Sequence, residues 1–406
     1  MTDSTFIERV ALRNYKSIGA CDVRLGNLTF LVGPNGSGKS NFLDALEFLA
    51  DATRNSLDHA LRGRGGINEV RRRSKGHPTH FGIRVEFRIP NIAVGHYAFL
   101  LGAKKDAYIV QREELAFSEL TAQGTIYHRY LVENGEVVEC TTPAPPAASR
   151  DRLYLVNISG LPQYRPIYDA FSRMGFYNLN PDEMRDLQPP DPGDLLKSDG
   201  SNLPSALAAL ARRNPRAKQR VCEYLSSVVP GISDFSTITQ GNKETIEFRQ
   251  LVAGAPQPWR FTASSMSDGT LRALGILTAL FQNTRPGSNP AHLVGIEEPE
   301  TALHPAAAGV LIDSFEEACE HVQLIVTSHS PELLDNEAIG NDNLLAVVSD
   351  DGNTHIGPID NAGRSALRDH LYTAGELLRM DQLRPDPQSR VTPEQLDLFR
   401  KLHADR

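Results

Sequence analysis

Eight consecutive residues, Gly33-Pro34-Asn35-Gly36-Ser37-Gly38-Lys39-Ser40, fill every fixed position of G-x-x-x-x-G-K-[ST], a pattern that lets a loop wrap a chain of phosphates. Glycines at 33, 36 and 38 allow close backbone approach, and amide N–H groups ahead of a helix offer partial positive charge to anionic oxygens. Gly33, Asn35, Gly36, Ser37, Gly38 and Asn41 are placed to line the cradle, Lys39 to reach the terminal phosphates, and Ser40 to hold a divalent cation. Further on, Glu297-Glu298 closes the apolar run His292-Leu293-Val294-Gly295-Ile296, and Ser328-His329 closes a second run from Val322 to Thr327. Phosphoryl transfer needs a metal ligand, a group that polarises water, and a donor that follows charge onto the γ-phosphate. Glu297, Glu298 and His329 are of the types that fill those roles in turn. Taken singly, an acid pair at a strand end reads as a solvated turn, and a lone strand-end histidine as structural. In this order behind a complete phosphate loop, they read as one site.

Each group needs an element to hold it. Leu28 to Val32 reads as a short buried strand and Asn41 to Leu49 carries apolar residues at helical spacing, giving the strand, loop and helix that the motif requires. The apolar runs ending at Glu297 and Ser328 read as buried parallel strands, and α/β sheets place their sites at such carboxyl ends. Ser267-Asp268-Gly269-Thr270 precedes a run with Leu271, Leu274, Leu277, Leu280 and Phe281 at helical spacing, so a long amphipathic helix opens there with Ser267 or Asp268 as its cap. A serine and free amides thus stand at a helix mouth. Elsewhere Phe6 to Leu12, His80 to Ile89, Tyr108 to Leu120 and Ile126 to Cys140 alternate as half-buried strands, with Asn134-Gly135 as a hairpin turn, predicting an antiparallel sheet. Pro143 to Pro146 and Pro189 to Gly193 are breaks. Leu203 to Leu210 and Ala217 to Val229 read as helices, Ile246 to Leu251 and Trp259 to Phe261 as strands, and a final α/β piece has a strand at Leu344 to Val348 and a helix over Ala366 to Met380.

With 406 residues, 40% of them hydrophobic, the chain can bury two or three cores. A formal charge of −8 argues against whole-surface attraction to nucleic acid or anionic membrane while leaving local basic patches open. Cys21, Cys140, Cys222 and Cys319 lie far apart without metal-ligand spacing and read as reduced thiols. No apolar run of membrane-spanning length and no signal-like start is present, so a cytoplasmic location is expected.

The set Gly33 to Ser40, Ser267-Asp268-Gly269-Thr270-Leu271-Arg272, Ile296-Glu297-Glu298-Pro299-Glu300-Thr301-Ala302-Leu303-His304-Pro305 and Val326-Thr327-Ser328-His329-Ser330-Pro331 resembles the ABC-type ATPase head of the RecF/SMC/OLD group. It is most similar to compact bacterial AAA family ATPases without coiled-coil arm or Toprim domain. Asn14-Tyr15-Lys16-Ser17-Ile18 resembles that group's opening motif. The resemblance implies an α/β P-loop NTPase fold, with a mixed sheet core, an antiparallel β subdomain and an inserted α+β lobe. The expected division is a head from residues 1–50 and 246–380, an inserted region over 51–245 (β-rich at 76–142, mostly helical at 150–235), and a tail over 381–406. It further implies ATP and Mg2+ as cofactors, and a homodimer that forms head to tail around ATP, with Ser267 and Gly269 capping the nucleotide of the opposite head. Asp268 and Thr270-Leu271-Arg272 depart from the transporter signature. No glutamine can be assigned as the metal- and water-sensing residue among Gln111, Gln123, Gln163 and Gln188. Nor does N-K-x-D occur: Asn242-Lys243-Glu244-Thr245 does not fit a GTPase.

Two functions follow. One is an ATPase switch that acts in DNA transactions or on a separate effector, including nuclease-linked genome defence; Asp350-Asp351 and Asp381 make no Toprim-like set after His329, so a separately encoded effector is expected. The other is a nucleotide-gated DNA clamp of RecF-like repair type, with Arg62, Arg64, Arg71, Arg72, Arg73, Lys75, Arg212, Arg213, Arg216, Lys218 and Arg220 either contacting phosphates or covering solvated faces.

Overall fold

The computed structural model describes residues 5–73, 78–104, 107–282, 293–304, 307–336 and 338–400. Lys75, His292 and Pro305 lie outside them. Among the described residues sixteen strands form three sheets: β1 (Ile7–Tyr15), β2 (Ile18–Arg24), β3 (Leu28–Val32), β4 (His80–Ile89), β5 (Ala93–Lys104), β6 (Ala107–Thr121), β7 (Gly124–Glu133), β8 (Glu136–Cys140), β9 (Gly175–Tyr177), β10 (Ile232–Gln240), β11 (Lys243–Gln250), β12 (Trp259–Thr262), β13 (Leu293–Glu297), β14 (Gln323–Ser328), β15 (Leu344–Asp350) and β16 (Asn353–Pro358).

The core sheet runs β16-β15-β3-β14-β13-β9, parallel except for the edge strand β16. Period-2 alternation sends its side chains into two separate cores. Leu31, Leu293 and Ile325 face the helix Lys39–Arg54 and the antiparallel sheet. Phe30, Val32, Val294, Ile296, Leu324 and Val326 face the helices Leu203–Arg213, Pro215–Val228, Asp268–Phe281 and Ala308–Ala318. This sheet is therefore covered on both faces, as its near-continuous apolar strands require.

The second sheet, β2-β1-β4-β5-β6-β7-β8, is antiparallel throughout. Its last hairpin turns on Asn134 and Gly135, both at positive φ (48° and 81°), the pair of left-handed residues that a tight turn between twisted strands demands. The stretch 76–142 joins this sheet through β4, which pairs with β1, and β9 joins the core sheet beside β13. β5 was not anticipated from the sequence. Gln323, fully buried at the start of β14, knits the two sheets: its Oε1 accepts from the amides of Phe6 (3.2 Å) and Ile7 (2.8 Å), and its Nε2 donates to the carbonyls of Ile7 (2.8 Å) and Gly26 (2.9 Å).

Near the C-terminus the single helix expected over 366–380 is two short ones, Asn361–Arg368 and Ala374–Arg379. Thr373 caps the second by a reciprocal hydrogen-bonded pair with Glu376, which sets a new helix start. Among the described residues Cys21, Cys140, Cys222 and Cys319 form no disulfide, and no helix is long and apolar enough to cross a membrane.

Candidate nucleotide site

The phosphate loop leaves β3 and enters the helix Lys39–Arg54 through Gly38, whose φ of 105° is costly for a side chain and whose missing Cβ admits Thr354 of β16. Thr354 Oγ1 donates to the Ser37 carbonyl (2.8 Å). Ser17, in the β1–β2 turn, contacts the same hydroxyl (2.7 Å) and accepts from Asn41 Nδ2 (2.6 Å). The loop is thus braced from both sheets. Lys39 is 5% exposed and its ammonium donates to the carbonyls of Gly33 (2.8 Å) and Pro34 (3.0 Å). Burial pulls its pKa down, against the raising influence of Glu298, Glu300 and Glu297. Ser37 Oγ is buried without a hydrogen bond.

Strand ends β13 and β14 bring the remaining predicted groups to this loop. Ser40 Oγ donates to Glu297 Oε2 (2.8 Å) across 257 residues of sequence. Burial raises the Glu297 pKa, opposed by the Ser40 hydrogen bond and reinforced by Glu298. Glu298 has φ 44°, a left-handed conformation for a non-glycine residue, held by its amide donating to Thr327 O (3.0 Å) and Oγ1 (3.2 Å). Its Oε1 lies 3.0 Å from His329 Nδ1. Such strain persists only where surroundings over-determine it.

Ser267 caps the helix Asp268–Phe281, accepting from the Thr270 amide (3.3 Å). Gly269 packs so tightly under the Ala302 carbonyl that no Cβ would fit. Nothing among the described residues joins Ser267 or Gly269 to the phosphate loop by a hydrogen bond.

Three contributions escaped sequence reasoning. Glu300 accepts from Ser328 Oγ (2.7 Å) and the His329 amide (3.3 Å), holding the turn that carries His329; its signal was its place two residues after Glu298. Arg272 is buried and donates to the carbonyls of Leu179 (3.0 Å), Glu297 (3.3 Å) and Glu298 (3.4 Å), tying the capped helix to the end of β13. Asn178, exposed, follows the Tyr177↔Ile296 pair and so stands level with Glu297 in the sheet register. Of the glutamines considered, Gln188 is committed to the carbonyls of Glu183 and Gly200, and Gln163 to Thr142.

Most of the candidate DNA-contacting bases are engaged within the chain. Arg64 meets Asp44, Glu47 and Asp51; Arg71 donates to Asn68 and Pro78, and Arg72 to Ser17 and Asn353. Arg62, Arg73, Arg213, Lys218 and Arg220 pair with Asp58, Glu69, Asp194, Asp234 and Glu317 respectively.

A family model described as "AAA domain, putative AbiEii toxin, Type IV TA system" matches residues 28–138 and 260–335. Structural maintenance of chromosomes protein 4 of Saccharomyces cerevisiae is 28% identical over 207 residues, 43% of this chain and 14% of that protein. DNA replication and repair protein RecF of Vibrio cholerae is 39% identical over 64 residues, 16% of this chain and 17% of RecF. The chain thus spans less than a fifth of the length of these curated relatives. Among solved structures, the SmcHead bound to the C-winged helix domain of ScpA superposes with a TM-score of 0.54 at 17% identity, over 86% of this chain and 97% of that one. An Smc head domain with an extended coiled coil, derived from Pyrococcus furiosus, gives 0.54 at 14% identity over 90% and 99%. With the phosphate loop and the acid-ended and histidine-ended strands in place, the chain has the fold of an Smc head domain, and its sequence is similar in part to RecF and to a structural maintenance of chromosomes protein.

Proposed function

We propose that the chain is an ATP-binding and ATP-hydrolysing switch whose head, residues 1–50 and 246–380 with 51–245 inserted, dimerises head to tail around two nucleotides and controls a separate effector. The observation that carries this reading is the Ser40–Glu297 contact, which sets a hydroxyl and a carboxylate oxygen side by side at the mouth of the phosphate loop. The residues fit Mg2+–ATP: Ser40 and Glu297 are hard oxygen donors of the kind Mg2+ takes, and the buried unbonded Ser37 hydroxyl and the glycine cradle suit phosphate oxygens. When bound, Mg2+–ATP would supply an electrophilic γ-phosphoryl group whose charge the metal offsets.

The protein's own groups then divide the work. Lys39 exchanges its carbonyl partners for phosphate oxygens. Glu298 Oε1 takes the proton of the attacking water, and its strained backbone, with His329 beside it, fixes where that oxygen points. Asn178 supplies the metal- and water-sensing amide. Ser267 and Gly269, at a helix mouth, bind the partner head's γ-phosphate, so only the dimer makes both sets of contacts, and hydrolysis loosens it.

The switch is favoured over the clamp because so many of the bases a clamp would use are held in intramolecular pairs. The test is a pair of variants in gel filtration with and without ATP. Lys39→Ala is expected to lose nucleotide binding and stay monomeric. Glu298→Gln is expected to bind ATP, hydrolyse it poorly and accumulate as dimer; normal turnover in Glu298→Gln would remove that residue from its role.

A further inference from the structure

The seven-stranded sheet has one apolar face, buried in the core described above, and one ionic face. On the ionic face Arg9, Arg13, Asp22, Arg84, Glu86, His96, Arg112 and Glu114 stand in register on neighbouring strands. The roof over part of this face is the segment 391–400, at the far end of the stretch that composition marks as a charged tail.

The face is shaped for that segment. Leu398 is 2% exposed and sits where a Cβ on Gly82 would collide with its Cδ1, so the glycine is the socket of the leucine. Ala11 and Ala20, short residues on β1 and β2, pack with Leu396 and Leu398 in one small cluster, with Leu100, Val391 and Phe399 at its margin. Arg84 Nη1 donates to the Leu398 carbonyl (2.9 Å), the Arg112 guanidinium lies 4.4 Å over the Phe399 ring, and Arg400 reaches Asp22 (3.6 Å). Two leucines two residues apart, an aromatic ring and a cation are thus each met by a matching feature of the sheet.

What opposes docking lies underneath. Arg84 Nη2, His96 Nδ1 and Arg112 Nε are buried without hydrogen bonds, and Arg84 Nε with Glu86 Oε1 (3.4 Å) and Glu114 Oε2 with Arg112 Nη2 (3.5 Å) meet only as ion pairs; burial pushes the Arg84 guanidinium below its ordinary value, against the raising influence of Glu86. Water would satisfy these atoms if the roof lifted. The segment adds no strand to the sheet, and Arg84 to Leu398 is the one hydrogen bond between them among the described residues. Apolar anchoring and polar desolvation therefore work against each other.

We propose that the ionic face of the seven-stranded sheet is a peptide seat, filled in cis by this chain's own segment 391–400 and able to release it. The seat lies outside the nucleotide machinery, so its fate does not depend on the proposed function. The test uses the full chain with Leu396→Asp and Leu398→Asp, which empties the seat, and a fluorescein-labelled peptide of residues 391–400 followed by anisotropy. The emptied variant is expected to bind the peptide at least tenfold more tightly than the unaltered chain, whose seat is filled. Adding Gly82→Leu to the emptied variant is expected to abolish that binding. Equal affinity in the emptied and unaltered chains, or no binding by an emptied variant that keeps its melting transition, overturns the proposal. Loss of cooperative melting in the emptied variant overturns it too, because the segment would then be an integral part of the fold.

Discussion

Two charged clusters lie along the helix Lys39–Arg54, each with three carboxylates and two bases, and they are wired in opposite ways. In the first, Asp44, Glu47 and Asp51 face Arg64 and Lys16, and the bases point at the acids: Arg64 lies 2.7, 3.4 and 2.9 Å from the three carboxylates, and Lys16 2.5 Å from Asp44. Tyr15 adds a hydroxyl donor to Asp44 (2.6 Å). Burial works against ionisation of Asp44, yet Arg64 and Lys16 outweigh it and hold its pKa below the ordinary value. In the second, Glu297, Glu298 and Glu300 face Lys39 and Arg272, but both bases spend their hydrogen bonds on backbone carbonyls. Among the described residues no salt bridge joins either base to those three acids. The first cluster is closed on itself and braces the β1–β2 turn against the helix. The second leaves its carboxylates without a lysine or arginine partner: Glu300 is held by Ser328 and the His329 amide, while Glu297 meets only the Ser40 hydroxyl and Glu298 lies beside His329, an arrangement that suits a site open to a ligand.

Neutralising one acid of the open cluster gives the largest effect. Glu298→Gln is expected to lower ATP hydrolysis by roughly 10²–10⁴-fold, the range for removing a positioned general base, while the urea midpoint stays near that of the unaltered protein. Removing the hub of the closed cluster should do the reverse. Arg64→Met leaves three carboxylates around a side chain that is 9% exposed, and a cost of about 3 kcal/mol in urea unfolding is expected. Equal effects of the two variants on turnover and on stability would erase the distinction between the clusters.

Backbone strain occurs in both clusters: Glu298 has a positive φ of 44°, and Lys16 of the closed cluster one of 45°. Glu298→Gly should therefore stabilise the fold by about 1 kcal/mol by relieving that backbone while abolishing hydrolysis. A destabilised Glu298→Gly would show that the carboxylate's contacts, not its backbone, dominate the local balance.

How far these clusters could be read from the sequence follows from the range of the interactions. The phosphate loop, the Asn134-Gly135 turn and the Ser267 cap are local: each depends on neighbours within a few residues, so residue type and spacing carry them. Strand β5 escaped because its middle, Gly95 to Phe99, is buried between β4 and β6 and its apolar residues crowd both faces. β9 escaped because it has three residues. Arg64 looked like one more base in an arginine-rich stretch, since its three carboxylates lie 13 to 20 residues away on another element. Arg272 and Leu398 likewise have meaning only through partners 93 and 314 residues distant.

Glu47 is the group that feels both clusters, and the smallest prediction rests on it. Burial raises its carboxyl to about 7, Arg64 pulls it back, and Asp51, Asp44 and Glu297 push it up again, the last from the open cluster. The folded state thus holds this proton more tightly than the unfolded chain, whose carboxyl titrates near 4.5. Its favourable contribution is full below about pH 4.5, declines through the interval to about 7, and is gone above it. Glu47→Gln, neutral at every pH, should match the unaltered protein near pH 5 and exceed it at pH 8. The shift alone would convert to about 3 kcal/mol. A side chain 34% exposed is screened by solvent, which brings the expected gain to about 0.5 kcal/mol. Urea melts at the two pH values decide it: a gain confined to the higher pH shows that burial of the Glu47 carboxylate outweighs its pairing with Arg64, and a loss at both shows that the pairing dominates.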